Sequence, residues 1–339
     1  MQPAAVILCW VLYAVPAAVL VLFGINQYVM LGIYLSGRKR SLRKAREIQR
    51  SFSERGTDAS WPEVITQLPV YNEYNVVERS MRAAAAMDYP QAKHLLQVLD
   101  DSDDQTRELI DSVARDLKTK GHRIKVIRRE TRDGFKAGAL KHGMSQNQAP
   151  FYVIFDADFV PPATYLRQAL PIMIQRNDIG LVQARWGHLN PETSLVTRAQ
   201  ELGIDGHFGI EQGARAWNCL FMNFNGTAGI WRHQAIQDAG GWQADTLTED
   251  MDLSYRAQLH GWKPFYLINL VVPAEIPQNI NAFKSQQFRW AKGSIQTAKK
   301  LIPRVLEAEC SLFTKIQAVF HMTHYLIHPI MVWLAFFAM

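Results

Sequence analysis

Charge is missing from both ends of this 339-residue chain: no Asp, Glu, Lys or Arg precedes Arg38, and none follows Lys315. About 20 consecutive apolar residues suffice for a helix to cross the ~30 Å hydrocarbon core of a bilayer. Residues 4–35 (AAVILCWVLYAVPAAVLVLFGINQYVMLGIYL) exceed that length. A secretory signal would begin with a basic segment and carry a shorter apolar core. This run has no basic start, so residues 1–37 read as a retained anchor. Residues 316–339 (IQAVFHMTHYLIHPIMVWLAFFAM) are also long enough, and a second membrane helix is expected over 312–339. That run ends without a polar flank, so the expectation is a chain cut within a larger membrane region.

The basic residues say which side the remainder occupies. Residues 38–50 (RKRSLRKAREIQR) hold seven basic residues and one acid; totals of 37 and 31 leave 30 of each elsewhere. A nucleic-acid surface would spread its excess along the chain, so nucleic acid is not an expected partner. The positive-inside rule puts this juxtamembrane segment, 38–60, in the cytoplasm, where anionic membrane lipid attracts it. The expectation is an integral protein of a plasma, inner or Golgi-type membrane with a cytosolic soluble body. Cys9, Cys219 and Cys310 show neither CxxC nor metal-ligand spacing, as in a reducing compartment. His321, His324 and His328 share a helical face, read as packed against neighbouring helices in preference to a metal site.

Residues 61–275 suffice for one substantial domain. EVITQLPVY, HLLQVLDDSDD, RIKVIRRE and FYVIFDADF each read as a strand entering a polar turn, with helices expected over 75–87, 104–119 and 136–145. That alternation predicts an α/β fold with a mostly parallel sheet, in which ligands bind beyond the carboxyl ends of the strands. Tyr71, Asn72, Glu73, Asp100, Asp101, Asp156 and Asp158 stand there. The chain has no GxGxxG after its first strand and no GxxxxGK[ST], which argues against dinucleotide enzymes and P-loop nucleotidases.

Acid takes the place of a glycine loop, and acid suggests a divalent cation with a phosphorylated ligand. There are three DxD doublets: Asp101/Asp103, Asp156/Asp158 and Asp250/Asp252. Only Asp156/Asp158 ends a strongly apolar run, and this spacing suits Mg²⁺ or Mn²⁺ completed by substrate diphosphate. Thr248-Glu249-Asp250 opens a helical stretch. It reads either as an N-cap with acids in the first turn or as a site offering a general base. Gln286 and Arg289 share a helix face three residues apart, followed by Trp290. They suit a diphosphate and a sugar face, or else an amphipathic helix on the membrane surface. Six of nine tryptophans lie between Trp186 and Trp290, as platforms for sugar or as core.

Taken in order, PVYNE (69–73), LDDSDD (99–104), GFKAGAL (134–140), DAD (156–158), FNGTAGIWR (224–232), TED (248–250) and QxxRW (286–290) form a set. The set resembles the family 2 processive glycosyltransferases, the cellulose synthase and cellulose-synthase-like group, and within it the mannan and glucomannan synthase branch. The resemblance implies a GT-A (Rossmann-like) domain over 61–275, flanked by transmembrane helices, with interfacial helices carrying QxxRW over 276–311. By the same resemblance, Tyr71, Glu73 and Asp100 surround the nucleoside of a nucleotide-sugar, GDP-mannose or UDP-glucose, with Lys136 near its phosphates. Asp156 and Asp158 approach the metal. Asp250 is the base, with Glu249 beside it in the acceptor pocket. Gly226 and Thr227 sit at the acceptor end, and Gln286, Arg289 and Trp290 bind diphosphate and the terminal sugar of a polysaccharide acceptor.

The implied reaction is a single inverting displacement, because only Asp250 stands as a base and no second carboxylate offers itself as a nucleophile. Phe224-Asn225-Gly226-Thr227 departs from the aromatic-Cys-Gly of cellulose synthases proper, which favours a mannan or other glucan over cellulose. The competing enzyme reading is a non-processive transferase with a lipid acceptor such as ceramide. A silent nucleotide-sugar sensor predicts loss of metal, base or QxxRW positions, and all are present.

Overall fold

In a computed structural model of the protein, which describes residues 3–55 and 60–337, the apolar run and the basic cluster are one helix, α1 (Pro3–Arg55). At 1.5 Å per residue it reaches roughly 80 Å, more than twice a bilayer core. The boundary expected at residue 37 is therefore no break in structure. Leu, Arg, Lys, Ala, Glu and Gln are all strong helix formers, and a single Gly37 does not stop them. The basic half packs against the sheet domain: Gln49 Nε2 donates to Gln168 O at 2.8 Å, and Phe52 meets Trp61 edge-on at 4.6 Å.

The four strands read from the sequence are β1 (Val64–Val70), β2 (His94–Asp100), β3 (Arg123–Ile127) and β4 (Phe151–Ile154). Three more complete the sheet: β5 (Ile179–His188), β6 (Gly229–Arg232) and β7 (Lys263–Ala274). The order is β3-β2-β1-β4-β6-β5-β7. All neighbours are parallel except β6, which runs against both β4 and β5. The carboxyl ends of β1, β2, β4, β5 and β7 thus open on one side of the sheet.

One apolar core packs α2 (Tyr74–Ala85), α3 (Thr106–Thr119) and α5 (Tyr165–Gln175) on one face of the sheet. The other face takes α4 (Phe135–Gln146), α7 (Gln212–Trp217), α8 (His233–Asp238) and α9 (Glu249–Leu259). Between β5 and α7 run α6 (Leu195–Gly206) and a π turn, His207–Glu211. The expected aromatic platforms are largely core, with Trp217, Trp231 and Trp242 buried.

A 28-residue helix, α10 (Ile280–Glu307), follows the sheet. The last apolar run is not one straight helix. α11 (Leu312–Thr323) passes through a 3₁₀ turn, His324–Leu326, into α12 (Ile327–Phe337). Two segments, Ile7–Phe52 and Leu312–Phe337, are long and apolar enough to cross a membrane. They are tied together by Gln317 Nε2 donating to Asn26 Oδ1 at 2.6 Å and by Trp333 Nε1 donating to Leu12 O at 3.0 Å. His321 is buried, 2.7 Å from the Tyr255 hydroxyl, as a packed histidine should be, but the turn at His324 breaks the shared face and His328 is exposed.

Candidate active site

The carboxyl end of β4 delivers Asp156 and Asp158. The backbone N–H of Asp156 donates to Thr227 Oγ1 at 2.8 Å, which fixes that end against the 224–228 loop. Lys136, one residue into α4, reaches across with its ammonium: it pairs with the Asp156 carboxylate and donates to Gly226 O at 3.0 Å. Gly226 has φ +81°, and a Cβ there would lie 3.0 Å from Asp250 Oδ2 and 3.4 Å from Lys136 Nζ. Only glycine allows the acid at the start of α9 to approach the strand end so closely.

The first turn of α9 is secured from the same loop. Ser254 Oγ donates to Asp250 O at 2.5 Å and accepts from Phe224 N at 2.7 Å. Thr248 occupies the N-cap position, yet its hydroxyl makes no capping bond and lies 3.0 Å from Thr297 Oγ1 on α10. The capping expectation thus holds for position and fails for chemistry, because α10 competes for the hydroxyl.

Five carboxylates share this cleft with one ammonium. Burial, with Asp156 and Asp158 adding repulsion, lifts Glu73 to about 8. Burial and Asp156 lift Asp158 to about 7. Glu249 and Asp250 are both raised, chiefly by burial, and for Asp250 next by Glu249. Burial alone would lower Lys136, but Asp156, Glu249 and Asp250 more than offset it and hold the ammonium above the ordinary lysine value. One cation facing so many acids is a site short of positive charge.

The other doublets have different company. Asp101 is gripped by Arg129, with Nε 2.9 Å from Oδ1, and exposed Asp103 bonds Asn72. Asp252 is enclosed by Arg256 at 2.6 Å and Lys300 at 2.8 Å. Asp100 is also committed: its buried carboxylate takes Arg128 at 2.7 Å and the Ser102 N–H at 3.0 Å. Tyr71 is covered by the Arg132 guanidinium, 3.2 Å from its ring centroid. On α10, Gln286 and Trp290 lie on the helical face that continues through Gly293 to Thr297. That face meets Thr248, since a Cβ at Gly293 would come within 2.5 Å of the Thr248 Cγ2. Arg289, on the flank, is exposed, and none of the three side chains makes a hydrogen bond among the described residues.

Residues 62–293 match a family model described as glycosyltransferase like family 2. The chain belongs to that family. A probable glucomannan 4-beta-mannosyltransferase 7 of Oryza sativa subsp. japonica is 39% identical over 311 residues, covering 91% of this chain and 53% of the relative. A probable glucomannan 4-beta-mannosyltransferase 10 of Arabidopsis thaliana is 43% identical over 251 residues, covering 73% and 46%. The chain thus spans about half the length of the curated relatives it matches. A solved mannosyltransferase of Pyrobaculum calidifontis, in complex with GDP-Man and Mn²⁺, superposes with TM-score 0.64 at 17% identity, covering 92% of this chain and 84% of the other. At that identity the likeness speaks for the GT-A fold alone.

This family 2 transferase brings Glu73, Lys136, Asp156, Asp158, Gly226, Thr227, Glu249 and Asp250 together, while Tyr71 and Asp100 stand at the next strand ends. Sequence reasoning missed the arginines: Arg128 and Arg129 leave the end of β3 to hold Asp100 and Asp101, and Arg132 covers Tyr71. The signal was there, a basic run (RRETR) at one strand end beside an acidic run (LDDSDD) at another. The donors at the cleft, carboxylate oxygens in excess of the local cation, fit a hard divalent ion such as Mg²⁺ or Mn²⁺.

Proposed function

We propose that the protein is a membrane-bound inverting hexosyltransferase that extends a β-linked polysaccharide from a nucleotide-diphospho-sugar. A mannosyl donor is the first choice. The observation that carries the reading is the cleft in which Lys136, Asp156, Gly226 and Asp250 converge. Relatives named as glucomannan mannosyltransferases and a fold neighbour complexed with GDP-Man and Mn²⁺ support the choice of sugar.

In this reading Asp250 takes the proton of the acceptor hydroxyl as that oxygen attacks the anomeric carbon. The bond from that carbon to the diphosphate breaks, and the nucleoside diphosphate leaves. One displacement inverts an α-linked donor to a β-linked product. Burial and the neighbouring Glu249 raise the basicity of Asp250, which suits a base working near neutral pH. A divalent ion held by Asp156 and Asp158 supplies charge neutralisation to the diphosphate. Lys136 adds a fixed cation beside it, and Arg289 adds one from α10. Gln286 and Trp290 present an amide and a ring face to the terminal acceptor sugar. Gly226 and Thr227 form the floor beneath it. Tyr71 and Glu73 flank the nucleoside, and Asp100 contributes by fixing the 100–104 loop through Arg128 and Ser102. The two apolar segments anchor the enzyme, with the basic half of α1 on the cytosolic side.

A panel of UDP- and GDP-sugars, radiolabelled in the hexose and given to membranes holding the full-length enzyme, tests this. The expected product is an ethanol-insoluble β-linked polymer from GDP-mannose. A single-sugar glycolipid would replace the polymer reading with the lipid-acceptor one, and no transfer from any donor would overturn both.

A further inference from the structure

Beyond the cleft, one cluster of metal-ligating side chains has no part in the proposed reaction. His188 ends β5, and Glu201 and Asp205 stand one turn apart on α6. Their ligand atoms all lie within 4.8 Å of one another, the only such set among the described residues. His188 is 6% exposed, and its Nδ1 has no hydrogen-bond partner. Its Nε2 is 3.3 Å from Asp205 Oδ1, the oxygen that also accepts from Arg185 Nη2 at 3.0 Å. Glu201 makes no hydrogen bond or ion pair among the described residues.

Two carboxylates this close repel each other, and Arg185 neutralises only one. With His188 neutral the group carries a net charge of about −1, and the imidazole turns Nε2 toward the acids. A dication held between that nitrogen and the two carboxylates answers the charge. We propose that His188, Glu201 and Asp205 form a second divalent-cation site, separate from Asp156/Asp158, that pins α6 to the end of β5. One imidazole and two carboxylates suit a transition-metal dication, Mn²⁺ or Zn²⁺, over Mg²⁺. Arg185, already on Asp205, serves as the outer partner that holds this ligand in place. The site matters for α6 because that helix exposes Leu195 and Leu202, 84% and 77%, and has little apolar packing of its own on that face.

The experiment uses the chain purified in detergent micelles and loaded with Mn²⁺ alone. Pulsed electron-spin-echo modulation detects a ¹⁴N nucleus ligated to the ion. The acids of the cleft offer oxygen donors only, so a directly bound imidazole nitrogen reports this site whether or not the cleft binds metal. The expected outcome is a ¹⁴N coupling that survives Asp158→Ala and disappears in His188→Phe. Glu201→Gln, which keeps size and polarity, is expected to retain the fold and weaken Mn²⁺ binding at this site at least tenfold. No ¹⁴N coupling in the unaltered chain, as when His188 is itself an imidazolium paired with the acids, overturns the proposal. So does a coupling that persists in His188→Phe, or unchanged affinity in Glu201→Gln.

Discussion

Asp250 and Asp252 stand two residues apart on the first turn of α9, and their surroundings differ in sign. Asp252 is fully enclosed and answered twice, by Arg256 at 2.6 Å and by Lys300 at 2.8 Å. Asp250 faces the cleft, where five acids share Lys136, and its carboxyl is pushed up by burial and by Glu249. Asp252 has its charge fully met, with Lys300 shared between it and Asp245 at 2.8 Å, and Asp250 has less cation than it needs. A buried acid whose charge is met holds the fold together. A deficit marks acids kept apart from their natural partners by the rest of the structure, and that is the condition for binding a cationic ligand or taking up a proton.

The sharpest way to break this comparison is to remove the two charges one at a time. Asp250→Asn removes a base without stranding a cation. Transfer is expected to fall by about 10²–10⁴-fold, the usual worth of general-base catalysis. Nucleoside diphosphate binding, read by calorimetry, should hold within about twofold. Loss of binding together with transfer would return Asp250 to the role of a helix-terminal acid. Asp252→Asn should do the opposite. It leaves Arg256 without its counter-charge and Lys300 with Asp245 alone, a loss on the order of 3 kcal/mol for a broken buried pair. The melting temperature should drop by several degrees, and activity should fall only through the folded fraction. If Asp252→Asn were as stable as the parent, a fully met charge would not distinguish structural acids here.

The two acids also differ in how far the sequence exposed them. Asp156, Asp158 and Asp250 were legible because each follows a local signal, an apolar run or a Thr-Glu-Asp at a helix start, in a fixed order. Apart from Arg256, four residues on from Asp252 in the same helix, the cations that silence Asp101 and Asp252 were not. Arg129 lies 28 residues from Asp101 and Lys300 lies 48 from Asp252, so their pairing exists only once the sheet and α10 are in place. The same distance hid half the sheet. β6 has four residues, too few for a period to show, and β7 is interrupted by register shifts against β5. The continuity of α1 across residue 37 was hidden for a different reason. Composition changes abruptly at Arg38, whereas helix propensity does not, and propensity decides the backbone.

A deficit of positive charge also predicts how stability follows pH. Asp158 and Glu73 have folded values near 7 and 8 against ordinary values of 3.8 and 4.5. Below pH 4 both folded and unfolded chains hold these protons and the groups contribute nothing. As pH rises past 4 the unfolded chain releases them while the folded chain keeps them, so folding loses stability progressively until about pH 8. His94 and His233, both lowered by burial, work the other way up to about pH 6.5, so thermal unfolding without divalent ions should show a melting temperature that falls between about pH 6.5 and pH 8. Mn²⁺ favours the ionised carboxylates, so its stabilising increment should be larger at pH 8 than at pH 5. An increment independent of pH would mean that the ion does not sit among these acids.

The smallest expected effect belongs to the remaining doublet and sets the baseline for the others. Asp103 is exposed and exchanges two bonds with Asn72: Asn72 Nδ2 donates to its Oδ1 at 2.7 Å, and its own N–H donates to Asn72 Oδ1 at 3.0 Å. Asp103→Ala removes the first and leaves the second, at a site water can reach. The expected change is below about 1 kcal/mol in stability, with metal response and transfer rate unaltered. Three acids from two doublets of one spacing would then give three separable results, a lost reaction, a lowered melting temperature and nearly nothing. If Asp103→Ala instead abolished metal binding at the cleft, as Asp158→Ala is expected to, the DxD spacing itself would be carrying the site, and the balance of surrounding charge would not.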